Sequence, residues 1–100
     1  MSFKLSAYGE IYDLELVKAE YSNGNLAIQL LTTNGEAYGI LTVNLCDDPY
    51  LNLNQAYIDV NSGSNFGKFV EDNNLGTFTG ITKKSGYVEY PLYEFNLDNF

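Results

Sequence analysis

The dipeptides Asn23-Gly24 and Asn34-Gly35 constrain this chain more than any other feature. Each separates two stretches in which apolar and polar residues alternate. Asn-Gly between alternating stretches is a strong hairpin signal, because both central residues of a type I′ turn need positive φ. Before the first turn lies Ile11 to Tyr21. Between the turns, Leu26 to Thr32 offers Leu26, Ile28 and Leu30 to one face. After the second, a strand from about Ala37 to Leu45 is expected, with Leu41, Val43 and Leu45 inward. Three such segments joined by two such turns form an antiparallel meander.

The first segment carries a complication. Tyr12, Leu14 and Leu16 share one face, with Asp13 and Glu15 on the other. Beyond Leu16 the apolar set becomes Val17, Ala19 and Tyr21, opposite Lys18 and Glu20. A bulge near Leu16-Val17 would restore the phase. Upstream, Phe3 to Tyr8 reads as a short strand and Gly9-Glu10 as a turn. Downstream, Asp47-Asp48-Pro49 breaks the sheet, and Gln55 to Val60 resumes it. Phe66, Phe69 and Val70 then stand at helical spacing. They predict a short helix over Asn65 to Asn74, with Ser64 as N-cap and Gly76 at the C′ position. Thr77 to Gly86 is a polar stretch. Tyr87 to Leu97 alternates again, but Pro91 cannot donate to a ladder, so an edge strand or two short strands are expected. The expected fold class is α+β: a meander of three or more strands plus C-terminal strands, with one short helix packed on the sheet, in a single domain over residues 1–100.

Charge and missing residue types narrow the function. Thirteen carboxylates against five lysines, with no arginine and no histidine, give a formal charge of −8. Arginine is the preferred reader of phosphate and guanine, so direct nucleic-acid binding is disfavoured, as is an anionic membrane surface. Such a field attracts a basic partner. The same surplus also serves solubility. No apolar stretch is long enough to span a membrane, and the N-terminus lacks the apolar core of a signal peptide. With a single cysteine and so no intrachain disulfide, a reducing cytoplasm is the simplest setting.

Catalytic chemistry has little to work with. There is no histidine base, and Cys46 is the only cysteine, at the end of an apolar strand. A lone cysteine there is most simply a small hydrophobe. No phosphate-cradling Gly-rich loop is present. Asp47-Asp48 beside Pro49 reads as a turn before it reads as a cation site. No enzyme activity, metal or cofactor is therefore expected. Asp13 and Glu15, two apart on a strand, lie roughly 7 Å apart on one face. With Glu10 and Glu20 they make a candidate acidic docking strip, and Glu89 and Glu94 a second, flanked by Tyr90 and Tyr93. The competing reading is an ordinary solvated strand face.

Three stretches, Ile11-Tyr12-Asp13-Leu14-Glu15-Leu16-Val17, Gly24-Asn25-Leu26-Ala27-Ile28-Gln29-Leu30 and Tyr90-Pro91-Leu92-Tyr93-Glu94-Phe95, together with Leu41-Thr42-Val43-Asn44-Leu45, carry a resemblance. The chain resembles a family of small acidic proteins of unknown function carried by bacterial phages, plasmids and conjugative elements. The resemblance implies an inhibitor of host defence in the bacterial cytoplasm, and points first to an anti-CRISPR protein on a Cas9-type nuclease. Such effectors hold nucleic acid in positive channels. The partner would be a host protein with a basic surface, a CRISPR or restriction nuclease. The other expectation is a structural or regulatory accessory protein working through protein contacts. Oligomeric state is left open by the residues.

Overall fold

The computed structural model describes residues 2–45, 52–60 and 65–99. Cys46, Asp47-Asp48-Pro49 and Ser64 lie outside the described residues. The expected α+β class holds, with two antiparallel four-stranded sheets and one short α-helix among the described residues. The first sheet is the meander: β1 (Phe3–Ala7), β2 (Glu10–Glu20), β3 (Leu26–Thr32) and β4 (Ala37–Ile40), in that order across the sheet.

Both Asn-Gly dipeptides form hairpins, but not with type I′ turns. In the first, Tyr21 N–H donates to the Asn25 carbonyl at 2.9 Å and Gly24 N–H to the Tyr21 carbonyl at 2.8 Å. Only Gly24 has positive φ, at 85°. This is a three-residue loop, a type I turn followed by a left-handed glycine. Thr32 to Glu36 repeats it, with Gly35 at φ 83°. The hydrophobic pattern dictates the choice. The observed register pairs Leu16 with Leu30 and Lys18 with Ile28, which keeps Leu14, Leu16, Ile28 and Leu30 on one face. A two-residue loop would slip the pairing by one and turn Ile28 and Leu30 away from Leu14. The type I′ geometry appears at Tyr8-Gly9 instead, where φ is 54° and 76° between the paired Ala7 and Glu10.

The bulge expected near Leu16-Val17 does not form. Pairing runs unbroken from Leu14↔Thr32 to Glu20↔Leu26. Alternation therefore continues, and Val17 and Ala19 stay on the face away from the core. The irregularity lies in the next hairpin: Leu30 pairs with Gly39 but Leu31 with Ala37, leaving Tyr38 as the extra residue.

The second sheet comprises β5 (Thr42–Val43), β6 (Gln55–Ile58), β7 (Gly76–Ser85) and β8 (Val88–Phe95), in the order β5-β6-β8-β7. The expected single strand from Ala37 to Leu45 breaks at Leu41, where the chain crosses between sheets. Leu41 N–H donates to the Ile28 carbonyl at 2.9 Å, and its own carbonyl accepts from Asp59 N–H at 3.0 Å. The crossing resets the facing of the side chains. Leu41 and Thr42 are buried, whereas Val43 and Leu45 are only half-buried. Thr42 Oγ1 accepts from Ile28 N–H at 3.2 Å and lies 3.0 Å from the Tyr21 phenol. The hydroxyl thus replaces the main-chain acceptor that β3 loses where the chain leaves it. Thr42→Val should leave that buried N–H without its partner and destabilise the protein by about 1–3 kcal/mol, read from urea unfolding.

Thr77 to Ser85, expected as a polar stretch, belongs to β7. Between Phe78↔Tyr93 and Thr82↔Pro91 the register shifts, with Thr79, Gly80 and Ile81 set against Leu92. Thr79 Oγ1 donates to the Leu92 carbonyl at 2.9 Å, and Gly80 has φ 88°. Such a bulge erases the alternation that marks a strand in sequence. β8 is continuous and lies inside the sheet, not at its edge. Pro91 is tolerated because β6 pairs only as far as Leu92, so among the described residues Val88–Pro91 has a partner on one side alone.

Helix α1 (Phe66–Asp72) buries Phe66, Phe69 and Val70, as its spacing predicts. Its N-cap Asn65 is left-handed and makes no side-chain capping bond. The C-terminus closes as a Schellman motif: Leu75 N–H reaches the Val70 carbonyl at 2.9 Å and Asn74 N–H the Glu71 carbonyl at 3.2 Å. Asn74, at φ 54°, takes the left-handed C′ position expected of Gly76. Gly76 serves a different need. It opens β7 against β8, where a Cβ would meet the Glu94 carbonyl at 2.7 Å. Asn73 donates to the Lys4 carbonyl at 3.1 Å and ties the helix to β1. One buried cluster joins Leu5, Leu14 and Leu30 of the first sheet, Ile58 and Phe95 of the second, and the helical phenylalanines.

A candidate protein-binding face

Strand period places the candidate carboxylates without reference to any ligand. On β2 the odd residues Ile11, Asp13, Glu15 and Val17 face outward, and Leu14 faces the core. Across the sheet, Glu15 pairs with Leu31, Val17 with Gln29 and Gln29 with Ile40. Asp13 and Glu15 therefore share one face, as expected, and that face is more apolar than a solvated surface requires. Ile11 is 70% exposed, Ile40 47% and Val17 39%, with Leu31 half-buried among them. Carboxylates beside open aliphatic side chains on a sheet face can dock a protein that offers both apolar and cationic groups. The phase change at Val17 was the signal for this patch in the sequence. A bulge there would turn those residues inward, and the unbroken pairing keeps them out.

Asp13 accepts from Lys4 Nζ across the strand pair at 2.8 Å. Both side chains are at least half exposed, so water screens the pair and it contributes under about 1 kcal/mol. Glu10 and Glu20 do not join the strip. With no bulge in β2 they lie on the face opposite Asp13 and Glu15. Glu10 accepts from the Tyr12 phenol at 3.0 Å. That hydrogen bond, with burial and the Glu10 charge, raises the Tyr12 pKa above its ordinary 10.0.

The second strip is dispersed in the same way. Glu89 and Glu94 are five residues apart on an unbulged strand and fall on opposite faces of β8. Glu89 stands across from Lys84, and half-buried Tyr90 across from Lys83. Tyr93 is not a surface tyrosine. It belongs to the buried cluster, with its ring centroid 5.7 Å from Phe78 and 6.5 Å from Phe95. Burial, then the Glu71 charge, raises its phenol above 10.0. The folded state thus holds this proton more tightly than the unfolded chain. Its contribution to stability is complete below about pH 10 and is lost as pH rises through the raised folded value. Tyr93→Phe should flatten that alkaline loss in urea titrations run on either side of pH 10.

Among the described residues, no group of three or more Cys, Asp or Glu lies close enough to hold a metal ion. No helix there is long and apolar enough to cross a membrane.

A family model described as "Domain of unknown function (DUF4313)" matches residues 14–100. The chain belongs to the DUF4313 family. A family of unknown function is what the resemblance of its strand motifs implied. The DUF4313 match begins within β2, so it takes in Glu15, Leu31 and Ile40, while β1 and Asp13 precede it. Comparison with curated proteins and with solved structures gave no match.

Proposed function

We propose that this DUF4313 chain is a non-catalytic binding protein that engages a basic partner through the outer face of its first sheet. The supporting observation is the placement of Asp13 and Glu15 beside Ile11, Val17, Leu31 and Ile40 on an open sheet face, in a chain of net charge −8. Apolar area supplies affinity at such a face, and carboxylates supply steering and selectivity. In the finer form of this reading the partner is a host defence nuclease, first a Cas9-type effector, whose positive channel matches the field. The chain would then act as an anti-CRISPR protein encoded by a mobile element. Adding the purified chain to a guide-loaded Cas9-type nuclease should block DNA cleavage at low salt, with the block weakening as screening grows. Undiminished cleavage at all salt concentrations rejects the finer form.

A second reading, an accessory protein working through self-association, is favoured by the open strand edges. Among the described residues, the segment of β2 beyond Leu14 pairs only with β3, and Val88–Pro91 of β8 pairs only with β7. Half-covered edges of this kind accept a further strand. Sedimentation separates the two readings: a stable oligomer supports the second, and a monomer supports the first.

A further inference from the structure

At one end of the first sheet a cleft of about 450 Å³ is lined by Tyr8, Tyr12, Tyr38, Asp59 and Phe66, with Gly39 and Ile40. Two local departures from the simplest meander and one side-chain tether bring its tyrosines together. Tyr8 occupies the first position of the type I′ turn at φ 54°, a conformation that Asn or Gly adopts more cheaply. It is nevertheless an exposed aromatic. Tyr38 is the extra residue of the β3–β4 irregularity. Tyr12 is tethered through its phenol to Glu10. The Tyr12 and Tyr38 rings stand 5.1 Å apart, tilted by 53°, so they present two non-parallel faces. Both pack against the core, which fixes their positions.

The chemistry of this lining selects a cation. Aromatic faces carry negative potential, and Asp59 adds a carboxylate. None of the lining residues is basic. A guanidinium suits such a site better than an ammonium, because it stacks on rings while donating in its plane to a carboxylate. We propose that this cleft receives an arginine side chain of the basic protein partner. This rests on the reading that the partner is basic, and it names the group on the partner that inserts.

The test is an NMR titration of the whole chain with the peptide Gly-Gly-Arg-Gly-Gly and with its citrulline counterpart, equal in shape but uncharged. The arginine peptide should shift the amides of Tyr8, Tyr12, Tyr38 and Asp59, and bind about tenfold more tightly than the citrulline peptide. Tyr8→Asn, which suits the left-handed turn and should not unfold the protein, should weaken arginine binding about threefold. Equal binding of the two peptides, shifts spread over the acidic surface, or unaltered binding by Tyr8→Asn overturns the proposal. Because the titration uses no partner, failure here with partner capture intact removes only the arginine site. Arginine binding without any basic partner removes only the broader reading.

Discussion

Leu41→Ala is expected to cost about 3–5 kcal/mol of stability. Leu41 is fully buried at the point where the backbone leaves one sheet for the other. Its main-chain bonds to Ile28 and Asp59 survive in alanine, so the loss comes from the buried apolar atoms removed and the cavity they leave. A domain of this size has about 5–15 kcal/mol in total, so the variant should stay folded with a much lower urea midpoint. Its side chain belongs to the cluster shared by both sheets. Amide exchange at Ile28 and Asp59 should therefore accelerate together. A cost below about 1 kcal/mol, or acceleration in one sheet alone, would show that the sheets do not depend on this crossing.

The second large effect concerns binding. Asp13→Lys/Glu15→Lys should weaken association with a basic partner about a hundredfold, since it turns two attractive contacts into repulsive ones. The fold should be little affected, because both side chains point outward and the Lys4–Asp13 pair is solvent-screened. The informative control is Glu89→Lys/Glu94→Lys. It changes net charge by the same amount, but from opposite faces of β8. If only overall charge matters, the two variants will lose equally. If the outer face of the first sheet is the contact, the control should lose about threefold, through steering alone.

The meander was legible because its turns and its alternation agree. Asn-Gly named the hairpins, and Leu26, Ile28 and Leu30 named the buried face. The turn type was not legible, because it follows from the register, and the register follows from matching Leu14 and Leu16 to Ile28 and Leu30 across strands. The helix could be read from its phenylalanines, but not its terminus: Asn74 can adopt the left-handed conformation that glycine usually supplies. β7 was hidden by its bulge and by polar residues on both faces. The crossing at Leu41 left no local mark, because an apolar residue at a sheet corner looks like one within a strand.

The candidate site was half legible. Asp13 and Glu15 share a face because strand period is local. Glu10, Glu20, Glu89 and Glu94 are near their strips in sequence only. Their facing depends on whether a bulge intervenes, and β2 and β8 have none. Tyr93 went the other way: a tyrosine that packs between Phe78 and Phe95 reads in sequence like one that waits for a partner. The tyrosine cleft was invisible because Tyr8, Tyr12 and Tyr38 meet only through a turn conformation and an extra residue in β4.

The most direct measurement is a pulldown from a bacterial host lysate with the native chain and the Asp13→Lys/Glu15→Lys variant as parallel baits. The native chain should retain a basic nuclease, release it as salt rises, and lose it when both carboxylates are reversed. Retention of the same proteins by both baits, unaffected by salt, would contradict a binding face built on Asp13 and Glu15.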